Sequence, residues 1–427
     1  MKILDFKNKN FDRTLDKLLL KRKNKLQFKS SSVIKIIKDV KKYGDKALLK
    51  YEKKFNNNKV IVPSSKKISK SILSLDRKVK KAIDLAYKRI FKFHSLQKFR
   101  NISYIDKLNN RIEYRYSPID SVAIYVPGST ASYPSTVLMN AIPAVVAGVK
   151  RVVMINPSYQ GNQNPAVLYA ARKCKIKEIY SIGGPSSIAA ATYGTKKIKK
   201  VDKIVGPGNV YVAQAKREVF GDVGIESSFM GPSEILAVCD KFSNPEWIAS
   251  DLIGQAEHDA HAQCILISKD KEFIKKIKLE IFLQLRKLPR SSIAKKSLMN
   301  NGILMYIGSD KKIVEIINRI APEHLELNLK NYKSFIPKIK NSGSICLGKY
   351  AVMAMTDYNI GSNHVLPTNG SAKYSSGISV NEFYKRISYI NLSKKGIESL
   401  GPSVITLANY EGLAGHAQSV KKRIRRK

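Results

Sequence analysis

Histidines with an amide or carboxylate close by in the sequence are the residues best suited to carry chemistry in this chain. Six histidines are present, and four of them have such a partner within seven positions. Imidazole binds zinc well, amide and carboxylate oxygens add coordination, and the same side chains transfer protons. Taken singly, each pair fits a hydrogen-bonded structural histidine equally well, so the spacing leaves both interpretations open. The pairs are Gln255 with His258, Glu323 with His324, Asp357 with His364, and Glu411 with His416.

The other two histidines have weaker surroundings. His94 lies in a lysine-rich helical pattern, where we expect a surface or packing role. His261 follows His258 by three positions, a spacing that a metal pair can use. For His261 we favour the structural interpretation.

Glycine-rich turns form a second group of candidate residues. Each follows a short apolar run: VPGST at 126–130, GGPSS at 183–187 and VGPGN at 205–209. Glycine after a parallel strand lets backbone N–H groups approach a phosphate or nucleotide. None of the three has the GxGxxG spacing, so an ordinary strand-to-helix turn remains an alternative.

The elements that must position these residues alternate between strands and helices. Helical periodicity runs from about residue 11 to 97 and predicts helices at 32–51 and 68–93. Because short apolar runs then alternate with helical patterns, we predict an α/β fold with parallel sheets. Pro322, a residue favoured at a helix start, directly precedes Glu323. Strands are predicted at 112–118, 121–126, 151–155, 178–182, 203–205, 235–238 and 263–267, and helices at 135–147, 164–172, 210–219, 244–257, 271–286 and 311–319.

The charge of the chain is strongly positive, with 77 Lys and Arg against 33 Asp and Glu and a net charge of +44. Such an excess is typical of proteins that bind nucleic acid or acidic membranes. The excess is concentrated in the N-terminal region and in the final KKRIRRK, whereas residues 116–149 contain no Lys or Arg. We therefore favour a solvated lysine-rich exterior, with a nucleic-acid-binding protein as the alternative.

The cysteines and apolar runs indicate a cellular location. Cys174, Cys239, Cys264 and Cys346 are far apart in the sequence and form no CxxC pair, so neither a disulfide framework nor a thiolate zinc site is expected. The apolar-rich run at 137–155 is interrupted too often by polar residues to span a membrane. We predict a soluble, cytoplasmic protein.

Several segments, taken together and in order, resemble the histidinol dehydrogenase family. The similarity covers nearly the whole chain and weakens only at the N-terminal arm and the final basic tail. No single segment is specific, but the ordered set is. It consists of YVPG at 125–128, GPGN at 206–209, GPSE at 231–234, QAEH at 255–258, APEHL at 321–325, residues 357–367, and Glu411 with His416.

The resemblance implies a zinc-containing homodimer with shared active sites, which oxidises L-histidinol to L-histidine through histidinal with two NAD⁺. It implies one Zn²⁺ per subunit, bound by Gln255, His258, Asp357 and His416 of the partner subunit. Glu323 and His324 would be the acid/base pair. The remaining assignments are substrate contacts at Ser233, His364 and the partner's Glu411, with the zinc ligands and His324 also facing substrate, and Tyr125 and Asn209 along the NAD⁺ site.

The domain organisation expected on this basis has four parts and no specific nucleic-acid or membrane partner. Residues 1–100 form an N-terminal helical region. A first Rossmann-like domain combines 101–126 with 234–380 and carries the metal and acid/base residues. Residues 127–233 form a second Rossmann-like domain on the NAD⁺ side, and 381–427 form a C-terminal dimerisation arm that donates to the partner's site.

The sequence departs from the family pattern at three places. Ser129 replaces a second glycine, Ser186 stands where a glutamine that touches NAD⁺ is usual, and 225–231 is one residue longer, with Glu for Asp. These departures concern the cofactor contacts, and the glutamine's role is not transferred to Ser186. A zinc hydrolase in which Glu323 acts with a metal-bound water is a further alternative, distinguished by independence from NAD⁺.

Overall fold

The computed structural model describes residues 1–24, 29–128, 133–226 and 231–424. The chain divides into two compact units. Unit 1 comprises Met1–Gln97 and Asp120–Glu382, and unit 2 comprises Lys98–Ile119 and Phe383–Lys427. Every helix in the described part of the chain is too short or too polar to cross a lipid bilayer.

The strands of the described residues are numbered in chain order. They are β1 Lys2–Asp5, β2 Ile102–Ile105, β3 Arg111–Pro118, β4 Ser121–Tyr125, β5 Arg151–Ile155, β6 Glu178–Tyr180, β7 Lys203–Val205, β8 Gly224–Ile225, β9 Glu234–Cys239, β10 Gln263–Ser268, β11 Ile303–Tyr306, β12 His324–Asn328, β13 Ser344–Leu347 and β14 Tyr384–Asn391.

The α-helices are numbered in the same way. They are α1 Phe11–Asn24, α2 Ser31–Tyr43, α3 Asp45–Asn56, α4 Ser65–Leu73, α5 Arg77–Ser95, α6 Pro134–Ala147, α7 Pro165–Lys173, α8 Gly184–Tyr193, α9 Val210–Glu218, α10 Pro245–Ala256, α11 Lys271–Leu285, α12 Ser291–Asn301, α13 Asp310–Ile320, α14 Met353–Tyr358, α15 Lys394–Tyr410 and α16 Ala414–Ile424.

Unit 1 contains two parallel sheets. One has six strands in the order β1-β11-β10-β9-β12-β13, and the other has five in the order β6-β5-β4-β7-β8. All pairings in both sheets are parallel. Helices connect the successive strands, as parallel strands require. The expected α/β class with two Rossmann-like parallel sheets is confirmed.

The central strands β9 and β10 of the six-stranded sheet are buried on both faces, and their alternate residues face different clusters. Ile235 and Ala237 of β9 pack with α10, α11 and α12, whereas Leu236 and Val238 pack with α13 and Leu325 of β12. This alternation follows from the two-residue period of a strand. It also places His324 and Glu326, which flank Leu325, on the face that carries α10.

The N-terminal helices are shorter than the sequence predicts. The expected helix at 32–51 breaks at Gly44, which lies between α2 and α3. Its φ of +53° is a left-handed conformation that ends α2. The expected helix at 68–93 breaks before Asp76, whose carboxylate accepts hydrogen bonds from Lys78 N and Val79 N and so caps α5. Apolar periodicity continues across both breaks, which is why it concealed them.

Unit 2 is a three-stranded antiparallel sheet with two helices. The strand order is β14-β3-β2, and Ile387 of β14 lies opposite Arg115 of β3. Residues 101–126 therefore do not follow the expected grouping with 234–380. Strand β3 pairs with both β2 and β14, while β4 lies in the five-stranded sheet.

Two further details differ from expectation. The sequence pattern gave no sign of β1, a short strand with partly exposed residues that pairs with β11. Pro322 does not begin a helix, because residues 324–328 form β12 between β9 and β13. The four cysteines are all buried and free, in agreement with the expected absence of disulfides.

Candidate active site

Glu323 and His324 lie at the amino end of β12, beside the amino end of β9. His324 is in register with Ile235 of β9, and Oε2 of Glu323 accepts a hydrogen bond from Glu234 N at 2.7 Å. Burial raises the pKa of Glu323 well above its ordinary value, and the nearby carboxyls of Glu234 and Asp357 add to this effect. The raised pKa favours the protonated carboxyl of Glu323 and makes the carboxylate, once ionised, a stronger base than an exposed one.

His324 is the most enclosed histidine of this group, with 3% of its surface exposed. Its Nε2 lies 3.8 Å from Oδ1 of Asp357 and 4.0 Å from Oε1 of Glu323. Burial lowers the pKa of His324 to about 3, with smaller contributions from His364 and His258. The imidazole is thus neutral near pH 7, and its Nε2 faces two carboxyl groups that would stabilise the protonated ring.

Asp357 and His364 are joined by the chain that follows α14. Asp357 is near the end of this helix, and its backbone carbonyl accepts a hydrogen bond from Nδ1 of His364 at 2.8 Å. Burial raises the pKa of Asp357 to about 7 and lowers the pKa of His364 to about 4. The hydrogen bond at Nδ1 leaves Nε2 of His364 as the nitrogen available to a ligand.

Gln255 and His258 lie at the end of α10, with Gln255 in its last turn and His258 two residues beyond it. The amide of Gln255 is buried, yet neither its Oε1 nor its Nε2 has a hydrogen-bond partner. A buried polar group without a partner is costly, so this amide fits a site that a bound group completes. Burial lowers the pKa of His258, which keeps the imidazole neutral, as a metal ligand must be.

The residues present in one chain fit part of a zinc site. Among the described residues, no group of three or more His, Cys, Asp or Glu side chains could hold a metal ion. The expected ligand set includes only two such residues from one chain, His258 and Asp357. Its other members are the amide of Gln255 and a histidine of the partner subunit, so one chain would present an incomplete site.

Ser233 directly precedes β9 and is half-buried. Its backbone carbonyl accepts a hydrogen bond from Gln263 N at 3.0 Å, which extends the pairing of β9 with β10. Ser233 is thus fixed at the same amino-terminal edge of the six-stranded sheet as Glu323 and His324.

The five-stranded sheet has a separate feature that suits a nucleotide. Its strand order reverses between β4 and β7, and ligands of open α/β sheets bind beyond the carboxyl ends of strands at such a reversal. Tyr125 ends β4, and its buried hydroxyl accepts a hydrogen bond from Gly184 N at 3.2 Å. Asn209 follows β7, is exposed, and caps α9 by accepting hydrogen bonds from Tyr211 N and Val212 N.

The turn between β7 and α9 requires glycine at position 206. Its φ is +108°, and a Cβ there would lie 2.3 Å from the Tyr125 carbonyl oxygen. Only glycine combines this backbone conformation with so close an approach of the two strand ends. The turns after β4 and β7 are therefore held side by side.

Glu411 and His416 belong to unit 2, where Glu411 directly follows α15 and His416 lies in the first turn of α16. Both side chains are exposed in the single chain. The other candidate residues all belong to unit 1. Within unit 1, Ser233, Glu323 and His324 lie together at the amino ends of β9 and β12.

Comparison with known proteins identifies the family. The sequence model of histidinol dehydrogenase matches residues 20–424. The chain is 78% identical to a histidinol dehydrogenase of Pelagibacter ubique over 427 residues, all of both chains. It is 43% identical to that of Nitrosomonas europaea over 398 residues, 92% of each chain. A crystal structure of histidinol dehydrogenase from Elizabethkingia anophelis superposes with a TM-score of 0.91 at 36% identity, covering 99% of this chain and 98% of that one.

The chain belongs to the histidinol dehydrogenase family. It is accordingly an oxidoreductase of histidine biosynthesis. The resemblance drawn from the ordered motifs is confirmed over almost the entire length.

The structure describes only some of the positions that depart from the histidinol dehydrogenase pattern. Ser186 is buried in the first turn of α8, and its hydroxyl donates to the Gly183 carbonyl at 3.1 Å, so it serves the turn itself. Ser129 and most of the longer segment at 225–231 lie outside the described residues. Glu226, at the described end of that segment, forms a buried ion pair with Lys216 at 2.6 Å.

His94 has the packing role that was one of the two expected for it. His94 is fully buried, its Nδ1 donates to the Ile90 carbonyl at 2.9 Å, and its Nε2 lies 3.3 Å from Nδ2 of Asn363. It therefore packs beneath the loop that carries His364. His261 is exposed, and its backbone N–H donates to Asp259.

The sequence gave no prediction for Arg22, Asp251 and Glu326. Arg22 pairs with Glu234, with Nε 3.3 Å from Oε1, and donates to Gln263 at 3.0 Å. These contacts join residues more than two hundred positions apart, which no local pattern reveals. Glu326 did leave a signal, because a carboxylate between leucines on a buried strand needs a specific partner.

Proposed function

We propose that the protein oxidises L-histidinol to L-histidine through histidinal, using two NAD⁺ and one zinc ion per subunit. The proposal rests on family membership combined with one observation. Nε2 of the buried, neutral His324 lies within 4.0 Å of carboxyl oxygens of both Glu323 and Asp357, and the buried amide of Gln255 on α10 has no hydrogen-bond partner.

Gln255, His258 and Asp357 would hold the zinc ion, together with His416 of the partner subunit. A zinc ion cannot change its oxidation state and would orient the nitrogen atoms of the substrate, so the electrons leave as hydride to a nicotinamide. The unpartnered amide and the neutral His258 support this assignment. Ser233, His364 and the partner's Glu411 would contact the substrate.

His324 would accept the hydroxyl proton of histidinol at Nε2 as hydride leaves the carbinol carbon. The carboxyls of Asp357 and Glu323, at 3.8 and 4.0 Å, would stabilise the imidazolium that forms. Burial of His324 keeps its lone pair unprotonated before the reaction. A positioned base of this kind contributes about 10²- to 10⁴-fold to the rate.

Glu323 would take the proton of the water that adds to histidinal before the second oxidation. Once ionised, it would be a stronger base than an exposed carboxylate, because its pKa is raised. The hydrogen bond from Glu234 N fixes Oε2 and leaves Oε1 directed toward His324. Two adjacent bases suit a sequence of two oxidations with different proton donors.

NAD⁺ would bind beyond the carboxyl ends of β4 and β7, where the strand order of the five-stranded sheet reverses. Tyr125 and Asn209 stand at these two strand ends and support the assignment. Bound there, the cofactor would accept one hydride in each oxidation.

A homodimer with shared active sites is supported by unit 2. Leu400, Val404 and Leu407 lie three or four residues apart along α15 and are exposed in the single chain. An apolar stripe of this kind suits a protein interface, here with a second copy of the chain. The same unit carries Glu411 and His416, the residues that the partner's site would receive.

We propose a cytoplasmic enzyme without a specific nucleic-acid or membrane partner. Lysines such as Lys78, Lys81 and Lys88 are exposed along α5, between the buried positions that hold the helix in place. Such a distribution is that of a solvated helix face, and it gives weak, salt-sensitive attraction to polyanions.

The deciding experiment is a stoichiometric assay of the purified protein with zinc. Histidinol and excess NAD⁺ should yield two NADH for each histidinol consumed, and histidine as product. Omission of NAD⁺ should abolish turnover, which separates a dehydrogenase from a zinc hydrolase. Absence of NADH formation from a zinc-loaded dimer would refute the proposal.

A further inference from the structure

Two carboxyl groups, of half-buried Asp251 and buried Glu326, lie on elements that also carry candidate site residues. Glu326 is on β12, two residues after His324, and is 2% exposed. Its Oε1 accepts a hydrogen bond from Met353 N at 2.8 Å. Met353 is the first residue of α14, the helix that carries Asp357. Glu326 therefore ties α14 directly to the strand of the acid/base pair.

Asp251 connects a third element to the same point. It lies on α10, one helical turn before Gln255, and it shares a hydrogen bond with Glu326. The pair thus contacts α10, β12 and α14 at once. These three elements carry Gln255, His324 and Asp357.

The chemistry of the pair favours a single arrangement. Two carboxyl groups can share a hydrogen bond only when one is protonated, and burial raises the pKa of Glu326 well above its ordinary value while that of Asp251 rises to about 6. Glu326 is then the donor and Asp251 the acceptor. A neutral acid can donate to Asp251 and accept from Met353 N at the same time, which a leucine cannot do.

Cys346 does not make this cluster a metal site. It lies opposite Glu326 in the β12–β13 register, and burial raises the pKa of its thiol to about 12. In the part of the chain that the structure describes, no group of three or more His, Cys, Asp or Glu side chains could hold a metal ion, so Asp251, Glu326 and Cys346 do not form one. The pair has a structural connection to the proposed zinc ligands but no ligand role of its own.

We infer that Asp251 and Glu326 are positioning residues, which fix the separation of Gln255 from Asp357 and so set the zinc affinity of the site. The inference rests on the proposed function. Gln255 lies four residues, about one helical turn, after Asp251. Asp357 lies the same distance after Met353, whose backbone N–H donates to Glu326. Groups that orient metal ligands from behind commonly affect metal affinity by about 10- to 100-fold.

The test compares zinc affinity in Glu326→Gln, Glu326→Leu and Asp251→Ala, by competition with a chelator. Gln can accept from Met353 N and donate to Asp251, so Glu326→Gln should retain an affinity close to that of the wild type. Glu326→Leu and Asp251→Ala should bind zinc about 10- to 100-fold more weakly. The visible spectrum of the cobalt-substituted protein should change in these two variants and not in Glu326→Gln.

Leu327→Ala is the matched control, because Leu327 is fully buried on the same strand but faces the opposite side of the sheet. It should lower the melting temperature and leave the zinc affinity unchanged. Equal zinc affinity in wild type, Glu326→Leu and Asp251→Ala would overturn the inference, and so would an equal loss in Leu327→Ala. Failure of the wild type to bind zinc, or unchanged binding in Asp357→Asn, would instead refute the proposed metal site.

Discussion

Nε2 of His324 lies 3.8 Å from Oδ1 of Asp357, although the two residues are separated by thirty-three positions. The distance brings the proposed proton acceptor beside a proposed zinc ligand, with both side chains buried. Proton transfer and metal binding would therefore occur in one enclosed space. The two functions can still be separated, because His324 is not among the proposed ligands.

Replacement of His324 by Asn should impair proton transfer without affecting zinc binding. We expect kcat for histidinol to fall by about 10²- to 10⁴-fold, because the proton at the carbinol oxygen loses its acceptor. Zinc content should remain at one ion per subunit, since Gln255, His258 and Asp357 are unchanged. Steady-state kinetics and metal analysis of the same preparation test both points, and undiminished turnover would contradict the role of His324.

Removal of the unpartnered amide of Gln255 should abolish zinc binding and stabilise the metal-free protein. Gln255→Leu is expected to lose zinc binding, and with it the rise in melting temperature that zinc gives the wild type. The metal-free variant should be more stable than the metal-free wild type, by about 1–3 kcal/mol, because two buried polar atoms without partners are gone. Denaturant unfolding with and without a chelator measures both changes. Reduced stability of the metal-free variant would show that this amide has a partner within the chain.

The sequence predicted much of the fold because local patterns determine much of it. Strand β7 was predicted with its observed bounds, and α9 and α10 to within two residues, since apolar periodicity and capping residues are local signals. The break at Gly44 was missed because the apolar pattern continues across it. Strand β1 was missed because partly exposed edge residues leave no alternation to detect.

In the candidate site, too, local motifs predicted some features and missed those that depend on tertiary structure. The motifs nominated Glu323 and His324, but their position at the amino ends of β9 and β12 depends on strand order, which no motif encodes. The contact between Asp251 and Glu326 joins a helix and a strand that are distant in the sequence. Such pairs become visible only when the sheet is assembled.

The turn at Gly206 gives a prediction about cofactor binding. Gly206→Ala should raise the KM for NAD⁺ and destabilise the protein by about 1–3 kcal/mol, because a Cβ at φ +108° would press on the Tyr125 carbonyl at 2.3 Å. Gly221→Ala is the control, since its φ of +102° is similar but no atom lies within 4 Å of the added Cβ. A rise in the KM for NAD⁺ in both variants would attribute the effect to backbone strain alone.

Sharing of active sites between subunits can be tested with two inactive variants. In a mixed dimer with shared sites, the defects of His324→Asn and His416→Ala would both fall in the same site, leaving the other site intact. A heterodimer purified through two affinity tags should therefore have about half the wild-type activity. If His416 served its own chain, both sites would be defective, and the heterodimer would be inactive.

His94 provides a prediction about pH. Burial lowers its pKa below the ordinary value of 6.5, and its Nε2 lies 3.3 Å from Nδ2 of Asn363, a group that can only donate. The native state therefore keeps His94 neutral, whereas the unfolded chain protonates it below about pH 6.5.

Between pH 6.5 and the lowered pKa of His94, the unfolded state binds more protons, so stability falls as the pH falls. The loss attributable to His94 is about 1.4 kcal/mol for each pH unit well inside that window. His94→Gln cannot be protonated, so its melting temperature should fall less than that of the wild type between pH 7.5 and 5.5. Identical pH dependence in wild type and His94→Gln would show that folding does not lower the pKa of His94.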